Sequence, residues 1–196
     1  MTSPSPGLPG PPDLPGLTYE PVGATAREAT PPGFDRLYVR TRIGSGEAVF
    51  RTAARALMEW RVHRRMGVRI TTEAPRAVRG AVVGVGLGVG PLRVSGPCRV
   101  VWTVEGEREA GWGYGTLRGH PQRGEEAFRV RYEEDGSVWL TVCAYSRPAV
   151  WFTRAGGPLV RLFQRAYARG CGQALRALVR GQTGARARRS RGPGRR

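Results

Sequence analysis

The stretch Gly157 to Arg180, GPLVRLFQRAYARGCGQALRALVR, constrains this chain most, because it reads as one long amphipathic helix with a small-residue centre. Gly157 precedes it and Pro158 takes its first position, where a missing N–H costs nothing. At helical spacing Leu159, Leu162, Phe163, Ala166, Gly170, Ala174 and Ala177 share one face, with Tyr167 and Leu178 on its edge. Arg161, Arg165, Arg169 and Arg176 fall on the opposite flank. A stripe centred on Ala166, Gly170, Ala174 and Ala177 either touches a sheet closely or leaves space beneath the helix.

The preceding hundred or so residues supply that sheet. From Val68 the hydrophobic period becomes two, the period of a strand. Val68–Thr72 and Val78–Val89 are candidate strands, and four more follow as a meander. In CRVVWTV, Cys98, Val100, Trp102 and Val104 share a face. In EAGWGYGTL, Trp112, Tyr114 and Thr116 share one face and Gly111, Gly113 and Gly115 the other, which leaves that second face bare. In AFRVRYE, Phe128, Val130 and Tyr132 oppose Arg129 and Arg131. Asp135-Gly136 is a type I′ hairpin signal, and Val138–Arg147 is the partner strand.

Earlier, Leu17–Ala24 is the first run able to form a strand, and Phe34–Ile43 is a second. A helix then starts at Ser45 as N-cap, buries Val49, Phe50, Ala53, Leu57 and Trp60, and ends at Gly67. His63 lies beyond that stripe, at a solvent edge. The glycine run GVGLGVG, residues 84–90, is not a dinucleotide loop. Val89 stands where the third glycine belongs, and Pro91–Cys98 cannot supply the helix that must follow. It is a glycine-laced strand.

The element order is strand, helix, about six antiparallel strands and a long final helix. This is an α+β fold in which a curved antiparallel sheet wraps around the C-terminal helix. The arrangement is a helix grip, like the START and polyketide-cyclase-like proteins, an analogy at the level of fold. Residues 1–16 hold six prolines and read as a disordered leader. Residues 17–180 form the single domain. Residues 181–196 are rich in Gly and Arg and read as a disordered tail.

The net charge of +17 belongs to the C-terminal third. All 32 basic residues are Arg; thirteen follow Asp135, the last acidic residue, and the other nineteen face fifteen acids. Cys98, Cys143 and Cys171 are far apart and outside any C-x-x-C pair, so reduced thiols are expected. No apolar run has transmembrane length and the start has no signal-peptide core, so a cytoplasmic protein is the expectation.

Several segments resemble a known family: IGSGEAVF (43–50), GPCRVVW (96–102), GYGTLRGHPQRGEEAF (113–128) and SRPA (146–149), with LTYEPVGAT (17–25) and GGPLVRLFQR (156–165) at the margins. They are similar to the uncharacterised family known as domain of unknown function nineteen-ninety, over roughly residues 17–180. The resemblance implies no activity.

One loop gathers polar chemistry. Arg118–Glu126, RGHPQRGEE, holds the candidate catalytic residues His120, Arg123, Glu125 and Glu126. A histidine near neutral pH can act as acid or base, a carboxylate can orient it, and Arg can hold an anion. The same residues also fit a tied hairpin. Two histidines and no ligand spacing leave no metal site, and no cofactor motif appears. Trp102, Trp112, Tyr114, Trp139, Tyr145, Phe163, Ala166 and Gly170 are candidate ligand-binding residues, lining a cavity of roughly 300 Å³ or more between helix and sheet. The expectation is a module for a small apolar or aromatic molecule, either a carrier or an enzyme using His120 and Glu125 at the rim. The alternative is nucleic-acid or acidic-partner binding through the Arg-rich C-terminal third, where the tail alone supports only weak, salt-sensitive, non-specific contacts.

Overall fold

A computed structural model of the chain describes residues 14–88, 94–148 and 157–190. Most of the proline-rich leader and residues 191–196 lie outside the described residues.

Seven strands form one antiparallel sheet: β1 (Asp35–Ser45), β2 (Arg69–Thr71), β3 (Val82–Leu87), β4 (Val94–Glu105), β5 (Glu109–Thr116), β6 (Gln122–Tyr132) and β7 (Ser137–Pro148). Their order is β1-β7-β6-β5-β4-β3-β2. Helices α1 (Glu47–Met58) and α2 (Arg61–Arg65) link β1 to β2, and α3 (Gly157–Ser190) closes the chain. Register breaks between Arg42 and Gly44 and between Val100 and Trp102 mark bulges, which bend strands. The core lies between the inner sheet face and the helices, where Trp112, Phe128, Val130 and Leu140 meet Leu57, Trp60, Cys171 and Leu175.

Several local expectations are corrected. Leu17–Ala24 is not a strand; it makes one bridge, Leu17 to Leu117, and then a 3-10 helix over Ala24–Arg27. This segment lies on the outer sheet face, over the bare side of β5. There the Tyr19 phenol sits over Gly115, and the Trp102 indole and Thr25 hydroxyl sit over Gly113, so a Cβ at either glycine would overlap them. The glycine face therefore accommodates the N-terminal segment, not the long helix.

The bulge in β4 turns Trp102 to that outer face with Val101, Ala127 and Cys143, away from Cys98 and Val100. The turn before β7 is not type I′, because Asp135 is not among the residues with positive φ. Gly136 alone takes φ 78°, its N–H donates to Glu133 O, and the Asp135 carboxylate accepts from the backbone N–H and hydroxyl of Ser137.

The first helix begins after Gly46 and stops at Met58, and Trp60 adopts φ 62°. That left-handed residue breaks the helical register and rotates α2, so Val62 and His63 turn into the core. His63 is fully buried, not at a solvent edge.

On α3 the buried face is Tyr167, Ala168, Cys171, Ala174, Leu175 and Val179. Leu162 and Phe163 are 60% and 56% exposed, and Ala166 is exposed. The larger side chains of Tyr167, Leu175 and Val179 bury more apolar area than Ala166 or Ala177, so they decide how the helix rolls. Close contact occurs at two glycines. A Cβ on Gly170 would lie 2.7 Å from the Met66 methyl, and one on Gly172 would lie 2.6 Å from the Thr41 methyl. The helix also continues past Arg180 to Ser190, through residues that read as a disordered tail.

Candidate functional site

N-terminal to Gly170 the helix stands off from the sheet, and a cavity of about 560 Å³ opens between them. Tyr114 and Thr116 of β5, Glu126 of β6 and Ala144 of β7 lie beneath it, with Val85 and Leu87 of β3 at one side. Phe163, Gln164 and Tyr167 of α3 form its roof. The Gln164 amide donates to the Gln122 side chain and the Ser146 hydroxyl, both at 3.3 Å, and so ties the helix to β6 and β7.

The alternation of β6 separates the two candidate glutamates. Glu126 lies two residues before Phe128, whose ring is in the core, so it faces inward. Its Oε2 accepts from the Tyr114 hydroxyl at 2.7 Å. Burial pushes its carboxyl up to about 7, and the Tyr114 hydrogen bond opposes that shift. Burial also raises the Tyr114 and Tyr167 hydroxyls well above the usual tyrosine range, with the Glu126 charge adding to both. The Tyr167 hydroxyl is buried and, apart from the weak Cys171 thiol, has no hydrogen-bond partner.

Glu125 faces outward and is buried beneath the N-terminal segment. Its carboxylate accepts from the Tyr19 hydroxyl at 2.8 Å, the Gly23 N–H at 2.7 Å, the Thr25 N–H at 3.0 Å and the Thr25 hydroxyl. The Tyr145 hydroxyl donates to the Pro21 carbonyl at 2.6 Å and lies 3.2 Å from the same carboxylate. Such saturation is the mark of a structural anchor.

His120 stands at the cavity rim, against Gly96, where a Cβ would overlap the ring. Its Nδ1 lies 3.0 Å from the Gln122 N–H and 3.1 Å from the Gln122 carbonyl, accepting from the first in one tautomer and donating to the second in the other. Burial lowers its pKa. The expected pairing of His120 with Glu125 is not made, because strand parity sends the two to opposite faces. Arg123 is exposed, opposite Arg147 across the β6–β7 ladder, in an open groove with Arg118 and Glu20.

Of the expected ligand-binding residues, Tyr114 and Phe163 line the cavity. Trp112 is sealed in the core against Trp60 and Phe128. Trp102, Trp139 and Tyr145 lie on the outer face, where Arg129 stacks on Trp102, Arg40 on Trp139, and Tyr145 meets Tyr19 and Phe34. Ala166 is exposed and Gly170 faces Met66. Tyr167 and Gln164 were missing from the expected set, and the signal for them was a polar tip at the edge of an apolar helix face. Among the described residues no cluster of His, Cys, Asp and Glu could hold a metal ion, and no helix is long and apolar enough to cross a membrane. Cys98, Cys143 and Cys171 are free and buried.

The sequence profile of the family described as Domain of unknown function (DUF1990) matches residues 18–174. The chain belongs to this family. It is 35% identical over 156 residues to a UPF0548 protein of Deinococcus radiodurans, covering 72% of this chain and 75% of that one. It is 30% identical over 149 residues to a UPF0548 protein of Arabidopsis thaliana, covering 73% and 72% of the two chains. Among solved structures it resembles TTHA0849 from Thermus thermophilus (TM-score 0.55, 12% identity, 76% of this chain and 99% of that one). It also resembles Ara h 8.0201 (0.52, 12%, 76% and 99%) and a norcoclaurine synthase mutant of Thalictrum in complex with a transition-state analogue (0.52, 10%, 77% and 98%). These likenesses establish the helix-grip fold.

Proposed function

We propose that this protein binds a small, largely apolar molecule in the cavity beneath the N-terminal half of α3. The observation that carries the reading is the cavity itself: about 560 Å³, with apolar walls from Val85, Leu87, Ala144 and Phe163 and a few convergent polar groups. Small-molecule sites have this size and this balance. Of the aromatic candidates, Tyr114 and Phe163 are the ligand contacts. The other aromatics serve the core and the outer face. Glu126 is the group at the site able to exchange a proton near neutral pH, with the His120 ring at the rim, whereas the Glu125 carboxylate turns to the outer face and Arg123 lies outside the cavity.

Native mass spectrometry of the protein purified from its own cells tests this reading, alongside uptake of an apolar fluorescent dye. A retained organic mass, or saturable dye uptake lost in Ala144→Phe, is the expected result. Ala144 points up into the cavity floor, so a phenyl ring there fills the space a ligand would use. A bare protein mass together with no dye uptake would refute the proposal.

A further inference from the structure

The cavity has a polar end whose chemistry is incomplete, and the following rests on the ligand-binding reading above. Glu126 Oε2 is engaged by Tyr114, but Oε1 has no donor among the described residues. No arginine among the described residues pairs with this carboxyl. Every arginine–carboxylate pair among the described residues involves some other glutamate: Glu28, Glu47, Glu105, Glu109 or Glu133. Even a half-buried carboxylate, as Glu126 is, is costly without a counter-charge unless something supplies one. The second observation is Tyr167. Its hydroxyl is buried, borders the same cavity and, apart from the weak Cys171 thiol, has no hydrogen-bond partner. A half-buried carboxyl on β6 and a buried hydroxyl on α3 thus face the same space.

We propose that this end of the cavity receives a protonated amine carried on an apolar body, with Glu126 Oε1 as its counter-charge and the Tyr167 hydroxyl as a second, accepting contact. A cationic donor compensates both groups at once. A neutral hydroxyl would complete the hydrogen bonds and leave the carboxylate charge unpaired. A carboxylate ligand would meet like charge.

The groups packed around Glu126 are Tyr114 on β5, Cys98 on β4, and Tyr167 and Cys171 on α3, with His120 at the rim. Burial holds the tyrosines and both thiols neutral, and it lowers His120, so that ring is neutral above its ordinary range. Glu126 is therefore the group whose charge changes across neutrality.

The test uses the full chain and three matched probes, decylamine, decanol and decanoate, competing with an apolar fluorescent dye. At about pH 8.5 Glu126 is charged and decylamine is still mostly protonated, so the amine should bind at least about tenfold tighter than the alcohol. At about pH 6, with Glu126 protonated, that preference should fall to about threefold or less. Glu126→Gln should abolish the preference at both pH values. Tyr167→Phe should weaken the amine several-fold and leave the pH dependence in place. Alcohol or carboxylate binding as tight as the amine at the higher pH would overturn the assignment, as would a preference that survives Glu126→Gln. If all three probes bind without preference, the amine assignment fails and ligand binding stands. If neither the probes nor the dye bind, ligand binding itself fails.

Discussion

Replacing His63 should remove a specific acid sensitivity from the fold. Its ring is fully buried among Trp60, Trp112 and Phe128, with centroids 6.4, 5.3 and 4.7 Å away. Neither ring nitrogen has a hydrogen-bond partner. The two indole N–H groups beside it donate elsewhere, Trp60 to Ala74 O and Trp112 to Leu57 O, both at 3.2 Å. Burial alone lowers its pKa from 6.5 to about 3. Between those values the unfolded chain binds a proton that the folded chain refuses, so stability falls as pH falls. Each pH unit in that window costs about 1.4 kcal/mol, or about 2.7 kcal/mol between pH 6.5 and 4.5.

His63→Leu keeps nearly the same volume and cannot titrate. It relieves two unpaired polar atoms, a gain of about 1–3 kcal/mol, and loses aromatic edge contacts of about 0.5–1.5 kcal/mol. The net change at about pH 7.5 is small. The decisive quantity is the difference between variant and parent in urea-unfolding free energy, followed down in pH. That difference should grow in favour of the variant by about 1.4 kcal/mol per unit below pH 6.5. Other titrating groups cancel in the subtraction. Parallel curves would refute the reasoning and mean that the imidazole is hydrogen-bonded in solution.

Glu126 should show the opposite sign. Its folded pKa is about 7 against an ordinary 4.5, so stability is lost as pH rises through that window. Glu126→Gln should therefore match the parent near pH 4 and exceed it by up to about 3 kcal/mol at pH 8, less where cavity water screens the charge; melting curves at the two pH values check this. Gly115→Ala puts a methyl into the Tyr19 hydroxyl and disturbs its bond to Glu125. It should cost about 1–3 kcal/mol in chemical denaturation and expose Leu17–Glu28 to proteolysis, and an unchanged midpoint would contradict the tight outer seam. Ala166→Leu, at an exposed helix position, should change stability by less than about 0.5 kcal/mol and leave dye uptake intact.

Patterns of period two and period 3.6 sufficed to read this fold from the sequence. The strands from Val82 to Pro148, the hairpin at Gly136 and the final helix follow from alternation, turn residues and an apolar stripe, all local properties. Parity with Phe128 and Arg129 fixes Glu126 inward and Glu125 outward, yet Glu125 is expected at the rim with His120 when both glutamates are read as loop residues and not as part of β6. The roll of α3 was not legible. Small residues on Ala166 and Gly170 marked one stripe, but the helix buries Tyr167, Cys171 and Leu175, because area buried against the sheet and α2 outweighs the local moment.

The remaining misses came from contacts distant in sequence. The bulge that turns Trp102 outward and the left-handed Trp60 that sends His63 inward each shift a periodic pattern by a residue, and no local propensity announces such a shift. Likewise the bare face of β5 promised room, but Tyr19 and Thr25, some 90 residues away in the chain, occupy it. The sequence alone determined most of the strands from Val82 onward, the two helical regions and the alternation between bulges. Only the tertiary structure decided which faces meet, and so where the helix touches and where it leaves a cavity.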